Sequence, residues 1–428
     1  MKTLLKNCKL INGLFDIIIE DEKIVEIILS RKERRYEKEF DQIINIKNKL
    51  VIPAMIDAHA HTRDLQQSEK EDWISCSEAA INGGVSTIFD MPNTIPATTN
   101  LANLNLKRKV AEKSLVNKMF YLGATNQNAD EIEKILAERP NDIAGIKIFL
   151  ASSSKNDVLS KNKIENVFEI AKKYDKVVAV HSELQSCLDK WQTKISEKTI
   201  QNHNIIRNRK CAIEGTKLIL DIAQKVGNKL YICHISTAEE IELIAAAKTK
   251  NPNIFCEVTP HHLFLDETIL AKVGNFGKVN PPLRTKADNL ALLKAINDGI
   301  IDVIGTDHAP HTLAEKEQKY PKAPSGFPGL ETALPLLLNA VSENKISLNK
   351  IVELTSFNVA KIFNLKNRGE IKIGFFADLA IVDISEKWKI DASKFRSKAK
   401  YSPFDGMKIK GKIKTTFVNG KKYKIRRK

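Results

Sequence analysis

Val51-Ile52-Pro53-Ala54-Met55-Ile56-Asp57-Ala58-His59-Ala60-His61-Thr62-Arg63-Asp64 reads as a short buried strand that runs into two histidines. In an extended chain alternate side chains share a face, so His59 and His61 point the same way and can grip one cation, with Arg63 next in that row. That order sets a metal beside a place for an anionic group. His-x-His on its own is also compatible with structural histidines, so the reading depends on what recurs further along the chain.

What recurs is a strand. Apolar β-rich runs alternate with longer stretches of helical spacing, the pattern of repeated βα units around a parallel sheet. The candidate strands are Val51 to Ile56, Ser86 to Asp90, Met119 to Leu122, Gly145 to Phe149, Val177 to Val180, Leu230 to Cys233, Ile254 to Val258 and Asp302 to Gly305. Eight such units predict a (β/α)8 TIM-like barrel over residues 51–369, with its chemistry on the loops after the carboxyl ends of the strands. Short β-type runs before residue 50 and after residue 370 predict that 1–50 and 370–428 together build a small β-sandwich domain.

The polar residues fall at the expected ends: His59 and His61 after the first strand, Asn93 after the second, Lys147 on the fourth, His181 after the fifth, His234 after the sixth and Asp307 after the eighth. Scattered structural histidines have no reason to recur on one end of successive strands. Four histidines, an aspartate and one more anionic ligand suffice for two divalent ions such as zinc. A protonated Lys147, with an ordinary pKa of about 10.4, would repel them. It becomes suitable once its amine takes up carbon dioxide, because the carbamate is a bridging carboxylate on a long arm. Such a pair of metals would lower the pKa of a bound water from about 15.7 towards 7. Asp307 would then accept the proton of the metal-bound hydroxide and pass it to a leaving nitrogen, first as general base and then as general acid.

Other features are set aside. His203 lies in a polar stretch and reads as a surface residue; His261 and His262 follow strand seven, where at most one of two neighbours faces inward. The six cysteines, Cys8, Cys76, Cys187, Cys211, Cys233 and Cys256, form no C-x-x-C pair and read as reduced thiols. The start of the chain has no signal-peptide pattern and no apolar run is long enough for a bilayer, so a cytoplasmic protein without a membrane partner is expected. The net charge of +16 comes from lysines spread along 428 residues, with local clusters at Arg31 to Lys38 and Lys421 to Lys428. The first cluster is interleaved with glutamates and each holds a single tyrosine, Tyr36 and Tyr423, so no nucleic-acid partner is expected.

These residues occur in a familiar order. His59-Ala60-His61-Thr62-Arg63-Asp64, Asp90-Met91-Pro92-Asn93-Thr94, Gly145-Ile146-Lys147-Ile148-Phe149-Leu150, His234-Ile235-Ser236, Asn280-Pro281-Pro282-Leu283-Arg284 and Thr306-Asp307-His308-Ala309-Pro310-His311 resemble the cyclic amidohydrolases, and among them the dihydroorotases. The resemblance spans nearly the whole chain. It implies two zinc ions held by His59, His61, His181, His234 and Asp307 and bridged by carboxylated Lys147. It also implies reversible cyclisation of N-carbamoyl-L-aspartate to dihydroorotate in pyrimidine synthesis, with Arg63, Asn93 and His311 on the substrate carboxylate and Asn280 near the ring. A planar Arg fork is suited to a carboxylate.

Two departures stand out. Some dihydroorotases carry an aspartate in place of the modified lysine, and Asp157 is the residue that would fill that role here. After Arg63 the chain reads Asp64-Leu65-Gln66-Gln67, where many relatives have Glu-Pro-Gly. The small polar loop from Ala151 to Leu159 is the candidate for closing over substrate. Alternatives are a hydantoinase, dihydropyrimidinase or allantoinase acting on a neutral ring, and a non-catalytic dihydroorotase-like subunit. The partner expected is the small-molecule substrate, with a homodimer or an aspartate transcarbamoylase partner left open.

Overall fold

The structure, a computed structural model, describes residues 1–30, 40–151 and 158–425. The charged run from Arg31 to Lys38, Asp157, most of the loop from Ala151 to Leu159, and the final three residues lie outside the described residues.

Five short strands come first: β1 (Lys2–Leu10), β2 (Gly13–Glu20), β3 (Lys23–Leu29), β4 (Gln42–Asn45) and β5 (Leu50–Pro53). The barrel strands are β6 (Met55–Ala60), β7 (Val85–Asp90), β8 (Asn117–Gly123), β9 (Ile143–Phe149), β10 (Val177–His181), β11 (Lys229–Ile232), β12 (Ile254–Val258) and β13 (Val303–Ile304). The chain returns to the first sheet with β14 (Leu379–Lys389), β15 (Lys408–Val418) and β16 (Lys421–Lys424).

The run expected as one strand from Val51 to Ile56 is two. Leu50–Pro53 pairs antiparallel with β14, Val51 lying opposite Ile381, whereas Met55 starts the pairing with β7. Pro53 has no N–H for a further rung and the chain crosses between sheets at Ala54. The terminal strands follow the order β16-β15-β14-β5-β1-β2-β3, with β4 beside β1. β1 joins β5 through one register pair, Lys9 with Leu50, and the strands from the two ends bury Leu5, Ile17 and Ile19 with Val51, Leu379, Ile381 and Phe417 in one core.

β6 to β13 pair in chain order and in parallel. Closure between last and first strand runs through a bridge from Ala60 to His308 and a bond from His61 N–H to His308 O of 2.8 Å. Asp57 reinforces it by accepting the N–H and hydroxyl of Thr306 at 2.9 and 2.5 Å. Outward residues such as Ile146 and Ile148 join the helices in the main core. Inward ones make an aromatic floor, where Phe363 meets the rings of Phe89, Tyr231 and Tyr121 at 4.9, 5.4 and 6.3 Å. Burying a side chain of that size stabilises by roughly 2 to 3 kcal/mol and keeps water from the underside of the strand-end residues.

Two features depart from the expected pattern. Residues 390–407 leave the terminal sheet and pack on barrel loops, so that Ile390, Phe395, Tyr401 and Phe404 share a cluster with Val279, Leu283 and Phe327. Cys187 and Cys211 were expected to be reduced; they form a disulfide between helices Gln185–Gln192 and Arg209–Val226. The bridge depends on the helices being neighbours in space, which the spacing of 24 does not reveal. Cys8, Cys76, Cys233 and Cys256 are free and buried. Among the described residues no helix is long and apolar enough to cross a membrane.

Candidate active site at the barrel mouth

His59 and His61 leave the first strand with their protons already committed. His59 Nδ1 donates to Glu257 Oε1 at 2.8 Å, and His61 Nδ1 donates to Asn93 Oδ1 at 2.7 Å. Their Nε2 atoms both turn to one oxygen, Asp307 Oδ1, at 3.4 and 3.2 Å. An imidazole that gives its proton to a neighbouring acceptor at one nitrogen offers a lone pair at the other, the usual arrangement of a metal ligand. Two lone pairs and a carboxylate oxygen converging in a buried space call for a cation.

The remaining rings extend the set. His59 and His234 centroids are 5.1 Å apart, those of His234 and His181 4.8 Å. His181 donates from Nε2 to Glu183 at 3.0 Å, leaving Nδ1 at 3.2 Å from His234 Nε2. His234 Nδ1 is buried without a hydrogen-bond partner among the described residues. Ligating atoms of His59, His234 and Asp307 lie within 4.8 Å of one another, as do those of His59, Cys233 and Glu257. Lys147, fully buried on β9, places Nζ 3.0 Å from Cys233 Sγ and 5.0 Å from the Phe149 ring. No carboxylate pairs with it among the described residues, an expensive state for an ammonium that conversion to an anion would remove. The donors present therefore fit divalent metal.

Electrostatics point the same way. Burial alone would raise the Asp307 carboxyl, but His59, His61 and His234 outweigh it and hold it well below the usual range. Burial opposes charge on His59 too, yet Glu257 and Asp307 push its pKa well above the ordinary value. Burial and Arg63 bring His61 down to about 4. Asp307 thus stays ionised between His59, whose proton two carboxylates favour, and a His61 that burial keeps neutral.

Backbone conformation contributes to the aim. Arg63, His234 and Asp307 have φ of 60°, 34° and 46°, a region few residues with side chains adopt and one that concentrates at functional sites. Arg63 is accordingly not the next residue of an extended row, as alternation implied, because β6 ends at Ala60. Its guanidinium donates from Nε to Pro310 O and from Nη2 to His311 Nε2, both at 3.1 Å. His311 Nε2 also lies 3.1 Å from Ser325 O; arginine can only donate to that nitrogen and a carbonyl can only accept from it, so a neutral ring satisfies one of the two contacts at a time.

The profile of the Amidohydrolase family matches residues 50–423. The chain belongs to the amidohydrolase family. Curated relatives of this amidohydrolase include proteins named dihydroorotase from Methanosphaera stadtmanae, 38% identical over 97% of this chain and 95% of the relative, and from Pediococcus pentosaceus, 34% identical over 98% of each. Similar solved structures include an L-hydantoinase (dihydropyrimidinase) from Arthrobacter aurescens, 30% identical with a TM-score of 0.94 over 100% of this chain and 96% of that one. A dihydropyrimidinase from Brevibacillus agri is 25% identical with a TM-score of 0.91 over the same shares. A cyclic amide hydrolase of a metal-dependent family is the activity class these likenesses support.

Several groups of this amidohydrolase lie outside what strand ends reveal. Glu257, inward on β12, accepts from His59, Tyr231 and the His234 N–H. A side chain on Gly305 would sit 2.3 Å from its carboxylate, so glycine is what lets the eighth strand pass. Glu183 accepts from Arg207 and His181 together. Gly215 has no room for a side chain, since a Cβ would lie 1.5 Å from Ser182 O, and this lets helix Arg209–Val226 pack directly against the Glu183 turn. His203, expected at the surface, is buried: Nε2 donates to Val279 O at 3.0 Å with Asn280 Oδ1 at 3.1 Å, and Nδ1 accepts from Tyr320 OH at 3.0 Å. A polar helix on one side of which the chain folds over a loop looks exposed in sequence. His261 and His262 lie on a short helix, Pro260–Phe264, and His262 is satisfied by Pro281 O and Thr259. Tyr401, from the 390–407 excursion, accepts the His311 N–H at 3.2 Å.

Proposed function

We infer that this chain is a dihydroorotase, catalysing the reversible interconversion of N-carbamoyl-L-aspartate and (S)-dihydroorotate, a step of de novo pyrimidine synthesis. The observation that carries the choice of substrate is Arg63. It is buried with no carboxylate ion pair among the described residues, and its fork opens beside His311 at the mouth. A buried guanidinium without an anion costs several kcal/mol, which a substrate carboxylate would offset through paired, charge-assisted bonds.

In this reading His59, His61, Lys147 as its carbamate, His181, His234 and Asp307 would hold two zinc ions. When bound, the ions would supply Lewis acidity and acidify a water. Arg63, Asn93 and His311 bind the carboxylate, and Asn280 meets the ring. Asn93 gives its carbonyl to His61, so its amide N–H groups are the ones left for substrate. In the hydrolytic direction Asp307 takes the proton of the attacking water and returns it to the ring nitrogen as the C–N bond breaks. Its depressed pKa keeps it ionised, ready to accept.

The similarity to hydantoinase structures favours a second reading, a neutral cyclic amide as substrate. The zinc-loaded protein is assayed with dihydroorotate and with a hydantoin. Turnover of dihydroorotate is the expected result; ring opening of the hydantoin alone would reject the first reading in favour of the second.

A further inference from the structure

Four-residue helix His203–Ile206 is a junction between three loops at the mouth. Arg207, directly after it, donates to Glu183, which in turn holds His181. Asn204 donates to Leu283 O at 2.7 Å and accepts from Arg284 at 3.0 Å. His203 reaches Val279, Asn280 and Tyr320. Its protonation pattern follows from its partners. Val279 O only accepts, so Nε2 carries the hydrogen; the ring is neutral, so Nδ1 is bare and takes the Tyr320 hydroxyl. Burial, with Arg207 nearby, brings the ring to a pKa of about 3, which keeps this tautomer across the neutral range.

That tautomer dictates the orientation of Asn280. An amide NH2 turned to His203 would set donor against donor, so the carbonyl faces His203 and the NH2 faces away. Asn280 is only partly buried, and the NH2 makes no hydrogen bond among the described residues. We propose that His203 is a positioning residue that, braced by Tyr320, locks the Asn280 amide with its N–H donors towards substrate, so that the site selects a hydrogen-bond acceptor, a ring carbonyl oxygen, at that point. The proposal rests on the reading of Asn280 as a substrate contact. His61 Nδ1 holds the Asn93 carbonyl by the same device.

The test is a double-mutant cycle on zinc-loaded protein with dihydroorotate, using His203→Phe, Asn280→Ala and their combination. His203→Phe keeps the ring and loses the N–H. It is expected to raise KM about tenfold with kcat within about twofold and zinc content unchanged, the size of one lost hydrogen bond. In the Asn280→Ala background the same change should alter KM by less than about twofold, because the group it acts through is gone. His203→Gln, which restores an N–H donor, should recover most of the KM. Tyr320→Phe removes only a hydroxyl and gives a second handle if the His203 variants fold poorly; it should raise KM about threefold, and not at all in Asn280→Ala. Full additivity, an effect on kcat alone, or an unchanged KM in Asn280→Ala would overturn the proposal. If only a hydantoin is turned over, the dihydroorotase reading fails, and the cycle run with the hydantoin still decides the His203 link.

Discussion

Asp57 on the first barrel strand and Thr306 on the last share two hydrogen bonds, 2.9 Å from the backbone N–H and 2.5 Å from the hydroxyl. They fix where the barrel closes and so bring Asp307, the next residue, to His59 and His61. Asp57→Ala leaves a buried N–H without a partner and should cost about 2 to 4 kcal/mol in urea unfolding. It should also lower zinc retained through dialysis; Asp57→Asn, with an acceptor left, should lose less of both.

Arg63→Met separates substrate recognition from chemistry. The expected result is a rise in KM for dihydroorotate of about a hundredfold, from loss of a desolvated charge pair. Any activity on a neutral hydantoin should change little. Melting temperature should not fall, because a buried charge without an anion has been removed.

Glu183 braces a candidate ligand, so Glu183→Gln should weaken zinc binding about 10- to 100-fold in a chelator competition. Burial acts to raise this carboxyl, but Arg207 and His181 hold it well below the usual range. A depressed pKa means the unfolded chain takes up the proton first. The stability Glu183 contributes is therefore present at neutral pH and fades as pH falls below about 4.3, the unfolded value. The acid limb of the stability profile should be flatter in the variant.

Glu331 titrates in the opposite sense. It is half-buried, accepts N–H bonds from Asn82, Arg396 and Ser397 at 3.1, 2.7 and 3.3 Å, and desolvation pushes its pKa up to about 7. The native state keeps a proton that the unfolded chain releases from about pH 4.3, so stability falls as pH rises towards 7, by about 4 kcal/mol at most. Glu331→Gln should gain on the wild type in melting scans between pH 5 and 8.

The Lys147 carbamate has a direct signature. Protein loaded with zinc in 13C-bicarbonate should show one carbamate carbon resonance, absent from Lys147→Arg, and the variant should bind less zinc. Retention of the resonance in the variant would remove Lys147 from the set.

The barrel and its strand-end residues were legible because a repeated βα unit forces ligands to recur at one end of successive strands. What supports them was not. The acceptors that hold His59 and His181, namely Glu257 and Glu183, answer to ring geometry, and no spacing records it. His203 looked solvated because its stretch is polar, yet its partners at 279, 280 and 320 come from loops far along the chain. The crossing at Ala54 was missed because Val51 to Ile56 is apolar throughout and periodicity cannot tell one strand from two. The excursion at 390–407 carries no motif of its own; its seating on Glu71, through Ser397 and the Lys398 N–H, and on His311, through Tyr401, shows what it does.

The pairing of β5 with β14 bears on synthesis. A chain leaving the ribosome has its barrel complete while β5 still has no partner along that edge and Tyr401 has not reached the mouth. Domains that depend on distant ends expose strand edges until late in translation. Chains cut before Leu379 would leave β5 unpaired along that edge and uncover the apolar residues that Leu379, Ile381 and Phe417 bury.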